Sequence, residues 1–169
     1  MAKVIILSGP VGAGKSTVAR ELVALMPGSV VCIEGDTFWS FIEKSETQDR
    51  RENGHMIMRS MTAAAIPFVR CGFDVVLDFT VPPEFLATAR KILKDLPLEY
   101  VILRPSEAVC AARAATRKEG VIADYSKYSD FYALFAGTDQ YQINDDKADA
   151  PALAAKIFAG LKSGRFWVP

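Results

Sequence analysis

A glycine-rich stretch near the start of the chain constrains the fold more than any other feature of the sequence. Residues 9–16 read Gly-Pro-Val-Gly-Ala-Gly-Lys-Ser and match the pattern G-x-x-x-x-G-K-[ST] in full. An apolar, β-branched run, Val4–Leu7, precedes the motif, and an amphipathic helical pattern, Lys15–Leu25, follows it. A chance glycine-rich turn would not need these neighbours, so the arrangement of strand, loop and helix predicts a phosphate-binding loop.

The residue types of this loop explain how it would hold phosphate groups. Glycines let the backbone wrap closely, so that successive N–H groups point at phosphate oxygens, and the helix N-terminus adds a partial positive charge. Lys15 is expected to reach the β- and γ-phosphates of ATP, and the Ser16 hydroxyl is placed to bind Mg²⁺. The loop residues predicted to bind the nucleotide are Gly9, Pro10, Val11, Gly12, Ala13, Gly14, Lys15, Ser16 and Thr17.

Further apolar runs alternate with helical patterns along the chain. Runs without polar alternation indicate strands that are covered on both faces, as in a parallel sheet between helices. The strands predicted in this way are Val4–Leu7, Val30–Ile33, Val75–Leu77, Tyr100–Leu103 and Tyr141–Ile143, and the helices are Lys15–Leu25, Pro82–Leu96, Ser106–Arg117 and Ala152–Leu161. The alternation predicts an α/β fold, a doubly wound parallel five-stranded sheet with helices on both faces.

The length of 169 residues is expected to form a single domain, residues 1–169, with its own core. A longer, mostly helical insertion, about 37–71, separates the second and third predicted strands, and Pro67 is expected to end or kink its last helix. Two aromatic residues near the C-terminus, Phe166 and Trp167, would be exposed unless the tail docks on the body or on a partner.

Composition excludes several classes of partner. Twenty basic and twenty acidic residues cancel, so net charge gives no general attraction to polyanions and does not favour nucleic acid. No apolar stretch approaches the roughly 18 residues of a membrane span. Cys32, Cys71 and Cys110 are widely spaced in apolar runs, which predicts buried free thiols in a reducing compartment. We therefore expect a cytoplasmic protein with no membrane partner.

Acids and arginines occupy three further places where chemistry is expected. Glu34 and Asp36 directly follow the second predicted strand, and Asp78 ends the third. Arg113 and Arg117 stand four residues apart on the predicted helix after the fourth strand, which puts both guanidinium groups on one face. Together with the phosphate loop, these residues make the chain resemble the P-loop kinases of small molecules. This group comprises the adenylate, shikimate and gluconate kinases and the chloramphenicol phosphotransferase-like enzymes, and the resemblance covers nearly the whole chain.

The resemblance implies roles for the acids. Asp36 would orient or deprotonate an acceptor hydroxyl, or hold the metal through water; alternatively it would N-cap the helix that follows. Glu34 stands where the family commonly has an aspartate. Asp78 looks like a Walker B aspartate, which would accept from Ser16 or from Mg²⁺-bound water, and the alternative is a turn residue that ends the strand.

The resemblance also implies roles for the arginines and the segment after them. Arg113 looks like the arginine that stacks on adenine, and Arg117 like the one that neutralises phosphate charge. A solvated helix face is the alternative. Residues 118–127 would form a short lid with Gly120 as a hinge. By position, residues 144–147 match the loop that borders adenine in this family.

Four more residues are candidates for the acceptor site. Arg51 and Arg59 lie in the insertion that binds the acceptor in related kinases, where they can hold an anionic group or form a solvated face. Phe38 follows Asp36 and can wall the pocket or pack the core. Thr80 lies just beyond the Walker B element, where such kinases begin to contact substrate.

The predicted function is ATP- and Mg²⁺-dependent transfer of the γ-phosphate to a hydroxyl of a small-molecule acceptor. Lys15, Asp36 and Arg117 are the predicted catalytic residues, and Ser16, Asp36 and Asp78 surround the metal. Three alternatives remain open at this stage: a nucleotide-dependent regulatory ATPase or switch, a polynucleotide 5′-hydroxyl kinase, and a nucleotide-binding module without turnover. No set of residues identifies the acceptor, and the sequence leaves monomer and dimer equally open.

Overall fold

A computed structural model describes residues 1–46, 49–116 and 120–169 of the chain. Its five strands form one sheet in the order β2-β3-β1-β4-β5, and every neighbouring pair is parallel. The predicted doubly wound α/β fold with five parallel strands is therefore confirmed. The strands are β1 (Val4–Ser8), β2 (Val30–Glu34), β3 (Asp74–Asp78), β4 (Leu98–Leu103) and β5 (Gln142–Ile143).

Within the described ranges, six helices and four short 3₁₀ turns connect and cover the strands. Side chains cap the start of three of these helices, since Asp49 accepts from the N–H of Arg51, Ser106 from that of Val109 and Asp149 from that of Ala152. The helices are α1 (Lys15–Leu25), α2 (Arg50–Arg70), α3 (Leu86–Leu93), α4 (Glu107–Ala115), α5 (Ser129–Ala133) and α6 (Ala150–Ser163), and the 3₁₀ turns are Gly35–Phe41, Pro83–Phe85, Tyr125–Tyr128 and Asp139–Tyr141.

The helix predicted over Pro82–Leu96 is shorter in the structure. Pro82 is extended (ψ 153°), and a 3₁₀ turn, Pro83–Phe85, separates it from α3. At the other end Lys94 has a positive φ of 54°, which no α-helix allows. The backbone conformations of Pro82 and Lys94 therefore limit the helix to Leu86–Leu93.

Alternating side chains of the central strand, β1, pack into two separate cores, one on each face of the sheet. Val4 and Ile6 of β1 pack with buried residues of α2 and α3 on one face of the sheet. Ile5 and Leu7 pack with buried residues of α1, α4 and α6 on the other face. Because both faces are covered, the strand is apolar at every position, which is the pattern that a parallel sheet requires.

Pro67 does not end the helix of the insertion, so the part of our expectation that concerned an ending is wrong. Helix α2 continues for three residues to Arg70, and the N–H of Cys71 donates to the carbonyl of Pro67 (3.1 Å). Proline removes only its own N–H from the helical ladder. The loss is tolerated near the end of a 21-residue helix, whose Met61 and Ala65 are fully buried.

Two of the three cysteines are exposed, so the prediction of buried thiols is wrong for them. Cys110, on the inner face of α4, is buried, whereas Cys32 and Cys71 are exposed, and all three are free. Cys32 lies on β2, which is an edge strand, and Cys71 is the C-cap of α2. An apolar run in the sequence does not reveal whether its strand lies at the edge of the sheet.

The C-terminal tail docks on the body of the protein. The N–H of Tyr100 donates to the carbonyl of Phe166 and that of Val168 to the carbonyl of Leu98, both at 2.9 Å, so the tail lies along β4. Phe166 is fully buried against Gly160, where a Cβ atom would lie 2.2 Å from its ring. Trp167 remains about half exposed (48%). None of the helices in the described ranges has both the length and the apolar character that crossing a membrane requires.

The tail should contribute measurably to stability through one aromatic residue. We expect Phe166→Ala to lower the free energy of unfolding by about 3 to 5 kcal/mol, because it leaves a cavity in the core. Trp167→Ala is the matched control and should cost less than about 1 kcal/mol, since its side chain already contacts water. Urea denaturation followed by circular dichroism measures both. Similar losses in the two variants would contradict the docking of Phe166.

Candidate functional site

The carboxyl ends of β1, β2 and β3 open into one cavity of about 730 Å³. Ligands of open α/β sheets bind in such a crevice, where the strand order reverses. The phosphate loop and α1 form its floor, the segments after β2 and β3 form one wall, and the end of α4 with residues 120–128 forms the other. The predicted site residues that line it are Val11, Gly12, Gly14, Lys15, Ser16, Thr17, Asp36, Asp78, Thr80 and Arg113.

Two glycines allow the phosphate loop to lie directly on its neighbours. A Cβ atom on Gly9 would lie 2.1 Å from the carbonyl oxygen of Leu103, at the end of β4. A Cβ atom on Gly12 would lie 2.2 Å from the carbonyl oxygen of Cys110 in α4. Both glycines also have positive φ (145° and 82°), a region that other residues avoid. The loop conformation therefore depends on packing against β4 and α4 as well as on local preference.

Side chains hold the carbonyl groups of the loop. The ammonium of Lys15 donates to the carbonyls of Gly9 (3.1 Å) and Pro10 (3.0 Å). The half-buried Arg113 donates from Nη1 to the carbonyl of Ala13 (3.2 Å). Both cations therefore lie beside the loop and at the cavity, where they can neutralise phosphate charge.

Asp78 lies at the end of β3, and only 6% of its surface is exposed. Burial raises the pKa of its carboxyl group, while a hydrogen bond with Ser16 and the charge of Lys15 act in the opposite direction. The negative charges of Glu34 and Asp36 raise that pKa further. Asp78 and Ser16 both line the cavity, and the role of Asp78 as a Walker B aspartate stays a prediction.

A buried hydroxyl fixes the segment that follows Asp78. Ser8, at the end of β1, donates to the carbonyl of Val81 (2.6 Å) and accepts from its N–H (2.8 Å). The Tyr100 hydroxyl donates to the same carbonyl (2.6 Å). Thr80 is therefore held beside the phosphate loop, and it lines the cavity.

Asp36 faces the cavity from the same wall as Thr80, in the segment after β2. It is exposed and lies in the first turn of the 3₁₀ segment Gly35–Phe41, whose N-cap is Glu34. The alternative role of Asp36 as an N-cap is therefore not realised. A Cβ atom on Gly35 would lie 2.4 Å from the ring of Phe79, so glycine there lets the backbone before Asp36 approach the segment after β3.

The predicted lid is described only in part. Arg117, Lys118 and Glu119 lie outside the described residues, so the structure gives no placement for the second predicted arginine. Gly120 and Ile122 line the cavity, and the N–H of Ile122 donates to the carbonyl of Ala114 (3.1 Å). The described part of the predicted lid, residues 120–127, therefore packs against the end of α4.

Three candidate acceptor residues lie away from this cavity. Phe38 is half-buried and packs against the core and against Phe41, with ring centroids 5.2 Å apart. Arg51 forms an exposed ion pair with Glu84 (3.4 Å). Arg59 lines a separate open depression of about 550 Å³ between α2 and α3.

The loop after β5 also lies elsewhere. Asp146 accepts from the N–H of Ser106 (2.6 Å), and Asp145 accepts from the N–H groups of Lys147 and Ala148. These bonds tie residues 144–147 to the start of α4. None of the four lines the cavity, so their proximity to a nucleotide base remains a prediction.

Sequence reasoning missed three residues near the loop. Thr116 and Tyr128 line the cavity, and the hydroxyl of Tyr125 donates to the carbonyl of Val11 (2.7 Å). The two tyrosines belong to a 3₁₀ turn, Tyr125–Tyr128, that overlaps the end of the predicted lid, residues 118–127. The only available signal was a pair of tyrosines in an otherwise polar segment, which by itself indicates no contact with the loop.

Comparison with known proteins supports the fold. A family model described as an AAA domain matches residues 4–127. No curated protein matches the chain in sequence.

Solved structures give a second comparison. The chain is similar to Mycobacterium tuberculosis APS kinase in complex with AMPPNP and APS (TM-score 0.72, 18% identity, covering 95% of this chain and 98% of that chain). It is also similar to the Deinococcus radiodurans tunicamycin resistance protein (TM-score 0.75, 18% identity, covering 100% of this chain and 99% of that chain). A third match is shikimate kinase from Acinetobacter baumannii in complex with shikimate (TM-score 0.60, 21% identity, covering 97% of this chain and 95% of that chain). The chain thus has the fold of P-loop kinases, which confirms the resemblance seen in the sequence.

The close approach of Gly12 to α4 gives a test of the loop geometry. Gly12→Ala should lower the free energy of unfolding by about 2 to 3 kcal/mol and abolish binding of tripolyphosphate, because the new methyl group meets the Cys110 carbonyl. Gly28→Ala is the control, since Gly28 has a similar φ of 84° but no atom within 4 Å. It should cost about 1 kcal/mol and leave binding intact. Urea denaturation and calorimetric titration measure the two effects, and equal effects would refute the packing argument.

Proposed function

The chain belongs to this AAA domain family, and on that premise we propose that it is an ATP-dependent kinase that phosphorylates a hydroxyl group of a small molecule. The partners in this reaction are ATP and the acceptor, with Mg²⁺ as the metal. Three of the solved structures to which the chain is similar are kinases of APS, of a sugar and of shikimate. Their likeness to this chain concerns the fold, so the activity has to be argued from the site.

One observation carries the proposal: a single cavity brings a phosphate loop opposite a free acidic group. Lys15 and Ser16 lie on its floor, and Asp36 lies on the wall after β2. Phosphoryl transfer needs a cradle for the donor phosphates and a group that orients the acceptor hydroxyl, with little further covalent chemistry from the protein. The volume of about 730 Å³ is in the range of cavities that bind ligands of this size.

The oxygen groups at the loop suit Mg²⁺. The ion prefers oxygen ligands in an octahedral arrangement and usually combines one or two carboxylates with phosphate oxygens and waters. Ser16 and Asp78 supply a hydroxyl and a carboxylate that already interact. No group of three or more histidine, cysteine, aspartate or glutamate side chains within the described residues would hold a metal by itself. Bound Mg²⁺ would supply charge neutralisation between the donor phosphates.

The remaining roles follow from charge and position. Lys15 and Arg113 would stabilise the negative charge of the transferring phosphoryl group, and Arg117 would add to this if it reaches the site. Asp36 would accept a hydrogen bond from the acceptor hydroxyl and orient its oxygen towards the γ-phosphate. Thr80, on the same wall in the segment after β3, would contact the acceptor.

The direct test is ATP consumption by the purified protein with Mg²⁺, alone and with a panel of hydroxyl-bearing metabolites. A slow background that rises strongly with one class of acceptor is the expected result, and Lys15→Ala should abolish it. Rapid hydrolysis that no small molecule affects would favour the regulatory ATPase instead. A 5′-hydroxyl oligonucleotide belongs in the panel, because its phosphorylation would replace the small-molecule acceptor with a polynucleotide.

Asp36 can be tested separately from nucleotide binding. Asp36→Asn should lower kcat by at least about a hundredfold, because the amide cannot accept the proton, while the Kd for ATP should stay near that of the wild type. Glu34→Gln is the matched control, since Glu34 is an exposed acid two residues earlier that does not line the cavity. It should retain most of the activity. Full activity of Asp36→Asn on an identified acceptor would show that Asp36 is not the base.

A further inference from the structure

The peptide plane between Val11 and Gly12 in the phosphate loop is held by a side chain from outside the loop. Because a peptide group is planar and trans, the direction of one carbonyl fixes the opposite direction of the following N–H. The Tyr125 hydroxyl donates to the carbonyl of Val11, so it also fixes the N–H of Gly12. Gly12 is at the point where the loop packs against α4. The motif itself contains no residue that performs this task.

Tyr125 is rigidly placed for this contact. Only 8% of its surface is exposed, and it begins the 3₁₀ turn Tyr125–Tyr128. Asp124 caps that turn by accepting from the N–H of Ser126 (3.0 Å). Its hydroxyl meets the loop at Val11, directly before Gly12, and Gly12 itself lies against the carbonyl of Cys110 in α4. The tyrosine, α4 and the loop thus meet at one point.

The same turn reaches the cavity. The rings of Tyr125 and Tyr128 lie with their centroids 5.7 Å apart, and Tyr128 lines the cavity. Residues 120–122, which precede the turn, line it as well. A group that bonds to the loop and belongs to the opposite wall couples the position of that wall to the conformation of the loop.

We propose that Tyr125 is a positioning residue of the phosphate site, which directs the N–H of Gly12 towards a bound phosphate and ties the wall formed by residues 120–128 to the loop. Tyr125 touches neither the phosphates nor the acceptor itself. The inference rests on the proposed function only in that the site binds the phosphates of a nucleotide. It does not depend on the identity of the acceptor.

Tyr125→Phe removes the hydroxyl and keeps the ring. We expect the Kd of the variant for ATP to rise about tenfold, since the carbonyl of Val11 is released and the N–H of Gly12 loses its fixed direction. The Kd for tripolyphosphate should rise by the same factor, because the effect acts on the phosphates and not on the base. Calorimetric titration with Mg²⁺ measures both constants.

Tyr132→Phe is the matched control. The hydroxyl of Tyr132 also donates to a backbone carbonyl, that of Pro105 (2.9 Å), which does not line the cavity. The control should lose comparable stability and keep the affinity of the wild type for ATP. A Kd of Tyr125→Phe within twofold of the wild type, or an equal rise in Tyr132→Phe, would overturn the proposal.

A second replacement keeps the ring and its hydroxyl and adds one fluorine atom beside the hydroxyl. 3-Fluorotyrosine at position 125 is a stronger hydrogen-bond donor and should bind tripolyphosphate at least as tightly as tyrosine; weaker binding would refute the role of the hydroxyl. The outcomes are separable from those of the proposed function. A protein that binds ATP but phosphorylates no acceptor would refute the kinase and still permit the test of Tyr125.

Discussion

The site depends on the contact of the phosphate loop with the end of β4 and with α4. The loop has no side-chain volume at Gly9 or Gly12, and at both points backbone meets backbone, at the end of β4 and in α4. Backbone cannot move aside as a flexible side chain can, so the sheet and α4 together determine the path of the loop. Because α4 also carries Arg113, the contact that shapes the loop also brings the arginine to the cavity.

The same constraint explains why the fold and the phosphate site were predictable from sequence. Phosphate binding demands particular residue types at fixed spacing, and a parallel sheet covered on both faces demands continuous apolar strands; neither requirement leaves much freedom. The position of Asp78 was predictable for a related reason. It is the last residue of a buried parallel strand, so it has to lie at the carboxyl edge of the sheet. Gly12 shows the limit of this reasoning. It occupies a variable position of the motif, and only the packing against Cys110 reveals that glycine is needed there.

Helical periodicity could not place the acceptor residues, because it identifies the buried face of a helix but not what the exposed face meets. Arg51 and Arg59 both belong to the exposed part of α2, and the structure directs one to Glu84 and the other to a depression beside α3. Phe38 shows the same ambiguity in another form, since an aromatic residue after a strand can wall a cavity or pack a core, and here it packs. Tyr125 was missed because its contact with Val11 spans 114 residues of sequence and follows no local pattern.

The cavity has two halves, and different physical constraints determine the residues of each. The half at the phosphate loop consists of backbone groups fixed by glycine conformation, by Lys15 and by Arg113, with the exposed Ser16 and the buried Asp78 beside them. A substitution there disturbs packing as well as chemistry, so few residue types are compatible with the fold. The other half begins at the exposed Asp36 and includes the half-buried Thr80, neither of which belongs to the buried core clusters. Substitutions on that side can alter which acceptor fits at small cost in stability. The acceptor therefore has to be found by experiment, because the residues that would select it are the ones that folding constrains least.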